Sequence, residues 1–183
     1  NHAWNAWYGN RYLEAYKLDG TLLWRIDMGR YMLPLTEFVF LVYDFNNDGI
    51  AEIACKTALG TKDGTGRYVT EASVVPEIKN ADNDKEYEFV NGKVFKGPEY
   101  FTLFDGRNGQ ALDTIEYPVL RGMLKDPDNT YNTWLWGCPD GRSDNGHRGE
   151  KCMGTVAYFD GVNPGIVLWR GIYTRIAAAS ISV

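Results

Sequence analysis

The chain has 183 residues, 44% of them hydrophobic and 23% charged, with a formal net charge of −5. This is an ordinary globular composition, which excludes a disordered or low-complexity chain, and no run of about 18 apolar residues offers a membrane span. The mild acidity argues against nucleic acid as the main partner and suits a protein that collects cations. Aromatic residues make up 14% of the chain, with Trp 6 and Tyr 12, a supply that fills a core or lines a sugar site. Three cysteines are too few for a disulfide scaffold, although Cys138 and Cys152 flank one polar loop and could close it. Cys55, inside an apolar stretch, reads as a small buried residue. The chain starts at Asn1, with neither an initiator Met nor an apolar leader, and reads as processed or truncated.

In chain order the pattern is strands and turns with hardly any helix. Tyr12 to Leu18 alternates in period two, turns at Asp19-Gly20 and returns as Thr21 to Ile26, a hairpin with an Asp-Gly turn signal. Phe38 to Tyr43 is an aromatic and β-branched run, followed by an acidic loop and a second strand from Ala51 to Thr57. Lys62 to Gly97 is polar and reads as a surface excursion with a short hairpin near Tyr87 to Phe95. The order then recurs. Tyr100 to Phe104, the turn Asp105 to Gly109 and Gln110 to Ile115 match the first hairpin, and the span from Val156 to Arg170 matches the strand, Asp loop and strand. Arg121 to Lys151 is a second excursion, with Trp134 and Trp136 as buried or sugar-facing anchors.

Tandem four-stranded units are how propeller blades read. The expectation is therefore an all-β chain, residues 1–183 forming part of a β-propeller, with units at roughly 10–60 and 98–175 and polar excursions at 62–97 and 121–151. A blade takes about 40 to 50 residues and a ring about four to eight blades, so two blades cannot close; the remainder of a propeller chain is an implied partner. The competing reading is an all-β sandwich whose hairpins merely look alike.

The strongest chemical motif is Asp44-Phe45-Asn46-Asn47-Asp48-Gly49-Ile50-Ala51-Glu52. Calcium takes about six to eight oxygens, and short oxygen-bearing side chains at alternate positions before a Gly turn supply them. Asp44, Asn46 and Asp48 form the first arc, the Ile50 carbonyl adds an oxygen and Glu52 a carboxylate, so Ca2+ is the expected cofactor, in a structural role. The bland reading is an Asx-rich turn without metal. Asp160 and Asn163 carry a weaker version of the pattern, and Asp63 and Asp105 read first as turn residues. His2 and His147 are the only histidines, which disfavours a zinc site or a His-centred triad. Arg170, Tyr173 and Arg175 could present cations to an acidic sugar, although strand-end arginines more often pair with loop carboxylates.

These words in this order resemble polysaccharide lyase family 11, the rhamnogalacturonan lyases. The resemblance is carried by Tyr16-Lys17-Leu18-Asp19-Gly20 with Leu23-Trp24-Arg25-Ile26-Asp27, by Val42-Tyr43-Asp44 through Lys56-Thr57-Ala58 with Gly60-Thr61, by Gly97-Pro98-Glu99-Tyr100 with Phe104-Asp105-Gly106, and by Val156 through Pro164 with Arg170-Gly171 and Tyr173-Thr174-Arg175. It implies a secreted, cell-surface or periplasmic calcium-loaded propeller of about eight blades, several times this length. It also implies β-elimination of rhamnose–galacturonate linkages in pectin, an acidic plant polysaccharide. In such chemistry a cation neutralises the uronate carboxylate and a base removes the acidified C5 proton. The chain departs from the family at Tyr31 to Glu37, where a His-Tyr-Thr segment is usual, and at Gly137 to Asp140. The family's His-rich segments that hold catalytic calcium fall outside the chain, so the catalytic residues are unknown and the fragment alone is expected to lack some or all activity. A non-catalytic calcium-binding β-propeller for adhesion or glycan binding is the alternative.

Overall fold

The computed structural model describes residues 10–32, 40–87, 89–90, 93–94, 97–120, 151–171 and 176–183. The strands are β1 (Arg11–Tyr16), β2 (Leu22–Gly29), β3 (Phe40–Tyr43), β4 (Glu52–Ala58), β5 (Phe89–Val90), β6 (Lys93–Val94), β7 (Glu99–Phe104), β8 (Ala111–Glu116), β9 (Cys152–Ala157), β10 (Gly165–Arg170) and β11 (Ala177–Ser182). Among the described residues, helix is confined to one 3-10 turn at Val69–Ala72 and one turn of α-helix, α1, at Pro76–Lys79. Every strand pairing among the described residues is antiparallel. The all-β expectation therefore holds among the described residues, and no sheet there closes into a ring.

The strands group differently from the repeat suggested by the sequence. β3 and β4 do not complete a sheet with β1 and β2. They continue into β7 and β8, giving a four-stranded meander in the order β3-β4-β7-β8, while β1 and β2 form a two-stranded ribbon. The second Asp-bearing pair, β9 and β10, likewise pairs forward, with β11, a strand the sequence reading missed. Hairpin patterns are local, whereas the choice of a third strand depends on which surfaces are left apolar. β4 is buried along its whole length, from Glu52 to Ala58, so it needs a neighbour on each edge, and β7 supplies the second one.

The described residues fall into two compact units, one up to Tyr117 and one from Pro118 onward. In the first, the β1–β2 hairpin turns at Asp19-Gly20 as expected: Thr21 N–H donates to Asp19 Oδ1 at 2.9 Å and Gly20 takes φ +87°. Trp24, Ile26 and Met28 on β2 are buried, alternating as period two requires. A chain of hydroxyls runs through the interior. Thr57 and Thr102 Oγ1 lie 2.8 Å apart, Thr102 and Thr114 Oγ1 3.0 Å apart, and Thr114 Oγ1 donates to the Val69 carbonyl at 2.7 Å. Because the last bond fixes the direction, each hydroxyl donates to the next and no buried donor is wasted.

The 62–97 excursion is less superficial than its polarity suggests. Asp63, Val69, Thr70, Ser73 and Ile78 are buried, and Lys62 pairs with Asp27 of β2 through both backbone hydrogen bonds, 2.8 and 2.9 Å. Asp63 behaves as the turn residue expected and does more. Its Oδ1 accepts from the Thr65 and Arg67 amides at 2.8 and 3.1 Å, and its Oδ2 accepts from Ala111 N–H at 3.1 Å. One buried carboxylate thus satisfies backbone donors from its own turn and from the start of β8. A short hairpin, β5 and β6, lies within the span where one was expected.

In the second unit β10 is the middle strand, with Ile166 and Leu168 fully buried. β11 alternates between half-buried and exposed residues. Cys55 is completely buried, and burial pushes its thiol well above the usual range, so it is a packing residue. Cys152 is buried on β9, while Cys138 and the pairing expected for it lie outside the described residues, as do His2, Trp134, Trp136 and His147.

Candidate metal centre

The candidate residues sit on the connection between β3 and β4. Phe45 is the anchor: its ring is buried and packs 5.8 Å from that of Tyr43. Behind it the backbone folds back on itself, with Asn47 at φ +58° and Gly49 at φ +87°. Asn and Gly are the residues that tolerate this left-handed backbone, which places the preceding and following side chains on one side of the turn.

The side chains expected to act together are brought together. Asp44 accepts from Asp48 N–H through Oδ1 at 3.0 Å and from Gly49 N–H through Oδ2 at 2.8 Å. Asn46 Oδ1 also accepts from Asp48 N–H, at 2.8 Å, and Asp48 Oδ1 accepts from Ile50 N–H at 2.9 Å. Asn46 Nδ2 stands 3.3 Å from Asp48 Oδ2 and 3.2 Å from Glu52 Oε1, so side chains 46, 48 and 52 converge. Glu52 is 1% exposed and accepts from Phe45 N–H at 2.9 Å. Hydrogen bonds of this kind alone would make a well-satisfied Asx turn.

The donor chemistry fits calcium. All five contributors offer hard oxygen: three carboxylates, one amide and the Ile50 carbonyl. Among the described residues no three His, Cys, Asp or Glu side chains are gathered so as to hold a metal by themselves. A centre here would need the amide and the carbonyl, both common calcium ligands.

Sequence reasoning missed Arg107. It lies in the β7–β8 turn, 59 residues from Asp48, and donates to Asp48 Oδ2 from Nη2 at 2.9 Å. It also donates to Asp105 Oδ2 from Nη1 at 3.2 Å. The Arg107 hydrogen bond to Asp48, with that from the Ile50 N–H next, holds the Asp48 carboxyl below its ordinary range. No local pattern signals such a contact.

The other site expectations divide. Arg170 is completely buried and donates from Nη1 to the Val119 carbonyl at 3.0 Å. It is therefore a packing residue of the second unit and not an exposed cation for an acidic sugar; the period-two spacing that suggested the role put it on the inward face of β10. Tyr173 and Arg175 lie outside the described residues. Asp160 spends its oxygens on its own turn, accepting from Asn163 N–H at 2.7 Å, from Val162 N–H at 2.8 Å and from Asn163 Nδ2 at 2.7 Å. These bonds, the Asn163 amide foremost, pull its carboxyl down from 3.8 to about 2. A lowered folded-state pKa contributes stability above the ordinary carboxyl range and loses it as the carboxyl protonates. The stability difference between the wild type and Asp160→Asn should therefore shrink as pH falls from about 4 to about 2. Acid denaturation of both forms, followed by circular dichroism, checks this.

Fold and loop together define an all-β protein of antiparallel hairpins with an oxygen-rich connection inside its first unit. Residues 2–182 match the model for rhamnogalacturonan lyase family 11, C-terminal domain, and the chain belongs to that family. It is 39% identical over 176 residues to the rhamnogalacturonan exolyase YesX of Bacillus subtilis, covering 96% of this chain and 25% of that protein. It is 38% identical over 168 residues to the rhamnogalacturonan endolyase YesW of the same organism, covering 91% and 23%. The solved structure of a Bacillus licheniformis rhamnogalacturonan lyase superposes with a TM-score of 0.76 at 36% identity, over 98% of this chain and 26% of that one. The chain spans about a quarter of the length of these relatives.

Proposed function

We propose that the protein containing this chain is a secreted or surface-exposed, calcium-requiring rhamnogalacturonan lyase, and that these residues supply blades of its β-propeller. The observation that carries the activity is likeness along nearly the whole chain, 96% of it, to a protein that is itself a rhamnogalacturonan lyase. Support for blades comes from the β3-β4-β7-β8 meander and from the same strand, Asp loop, strand order in β9 and β10. Support for calcium comes from the all-oxygen donor set at Asp44, Asn46, Asp48, Ile50 and Glu52.

The chain's own residues do structural work in this reading. The loop sets the Asp48 and Glu52 carboxylates around the Asn46 side chain, with the Asp44 carboxylate on the same connection, and a cation would offset that negative charge. A bound calcium ion would supply a cross-link between the oxygens of this connection. The reaction is an elimination: a base takes the C5 proton of galacturonate, the C4–O bond breaks with its electron pair leaving on the rhamnose oxygen, which takes up a proton, and a C4=C5 double bond conjugated with the carboxyl forms, with no water consumed. None of the described residues is assigned to the proton transfer. Exolyase and endolyase relatives are equally similar, 39% and 38%, so the mode of attack depends on features that overall identity does not track.

The test is incubation of the parent protein with rhamnogalacturonan, with calcium and then with a chelator. A rise in ultraviolet absorbance from the unsaturated uronate that the chelator abolishes is the expected result. New reducing ends without that absorbance would mean hydrolysis and would sink the proposal. Binding without any product would favour the adhesion or glycan-binding alternative.

A further inference from the structure

The turn that carries Arg107 is held in place beside Asp48. It packs directly on the end of the candidate loop: a Cβ on Gly106 would come within 1.9 Å of the Ala51 carbonyl oxygen. The turn is also pinned from β2, because Trp24 Nε1 donates to the Gly106 carbonyl at 2.8 Å and a Cβ on Gly109 would meet the Trp24 ring at 3.0 Å. Gly109 N–H closes it by donating to the Asp105 carbonyl at 2.8 Å. Asp105 then braces the guanidinium from the far side at 3.2 Å while Nη2 reaches Asp48 Oδ2 at 2.9 Å. The turn's backbone is thus fixed beside the loop, and from it the Arg107 side chain, 49% exposed, reaches an Asp48 side chain that is 36% exposed, a surface ion pair whose effect is modest and salt-dependent.

Both oxygens of Asp48 are thereby engaged. Oδ1 accepts from Ile50 N–H, and Oδ2 accepts from Arg107 and lies beside Asn46 Nδ2. A charge-assisted hydrogen bond to a guanidinium is about twice as strong as a neutral one. A divalent ion seeking the same oxygen must share it with that positive charge or displace it. We propose that Arg107 is an internal competitor for the cation at this loop, a counter-charge that holds Asp48 when calcium is scarce and weakens calcium binding when it is plentiful. The inference rests on the reading of the loop as a calcium site and adds the residue that sets its affinity.

The experiment is a calorimetric titration of the chelator-treated chain with calcium chloride. Wild type is measured first, then Arg107→Gln, Arg107→Lys and the Asp48→Asn background with and without Arg107→Gln. Expected are calcium uptake by the wild type, about fivefold or more tighter binding in Arg107→Gln, near wild-type affinity in Arg107→Lys, and no effect of Arg107→Gln once Asp48 is Asn. Circular dichroism of each variant shows whether it is folded, and Arg107→Ala, which also removes the charge, is titrated with the same expectation if the Gln variant is not. Unchanged or weaker calcium binding in Arg107→Gln, with wild type binding normally, overturns the competitor role and leaves the calcium site standing. Absence of calcium uptake by the wild type removes the site and this inference together.

Discussion

Replacing Glu99 by Leu should lower stability by about 3 to 5 kcal/mol, the cost of removing one member of a buried ion pair. Lys56 Nζ lies 2.6 Å from Glu99 Oε1, and the two side chains are only 6% and 5% exposed. The pair joins the two middle strands of the meander: Lys56 is on β4, Glu99 opens β7, and the register pairs Ala58 with Glu99. Lys56 also stands 5.4 Å from the centroid of the Tyr117 ring, and Tyr117 N–H donates to the Glu99 carbonyl at 2.8 Å. Without Glu99 the ammonium must be desolvated without its carboxylate or drag water into the sheet. The double replacement Lys56→Met with Glu99→Leu should recover most of the loss, because two apolar side chains leave no uncompensated charge. Urea denaturation of the three variants measures this; a Glu99→Leu cost under about 1 kcal/mol would show that the pair is solvated in solution, contrary to its burial here.

Gly106→Ala should cost about 3 kcal/mol or more, at the upper end of the range for forcing an extra methyl into a packed interior. The reason is close approach rather than backbone freedom. A Cβ there would lie 1.9 Å from the Ala51 carbonyl oxygen, which belongs to backbone and cannot swing aside. Gly20→Ala is the control. Gly20 has φ +87° and nothing within 4 Å of its ideal Cβ, so only the left-handed strain of about 1 to 2 kcal/mol applies. Thermal unfolding of both variants separates the mechanisms, and equal losses would mean that the two turns can part without cost. Because the same turn carries Arg107, Gly106→Ala should also lengthen or break the contact with Asp48, a change visible in the nitrogen-15 chemical shift of the arginine side chain.

What was legible in the chain alone is local chemistry. Asp19-Gly20 announced a hairpin, and Asp44, Asn46, Asp48 and Gly49 announced a tight oxygen-lined bend, because turn residues act on backbone within a few positions of themselves. Period-two alternation located most of the strands, and the ordered words between Tyr16 and Arg175 were enough to place the family. Tertiary structure decided everything that depends on partners far along the chain. β4 paired with β7 across the long polar excursion because both of its edges are buried, which no local pattern encodes. Arg170 went inward to the Val119 carbonyl, although its spacing suited an exposed cation equally well. Arg107 reached Asp48 from 59 residues away. Turn chemistry and side-chain period are properties of neighbouring residues, whereas burial and charge pairing belong to the assembled surface.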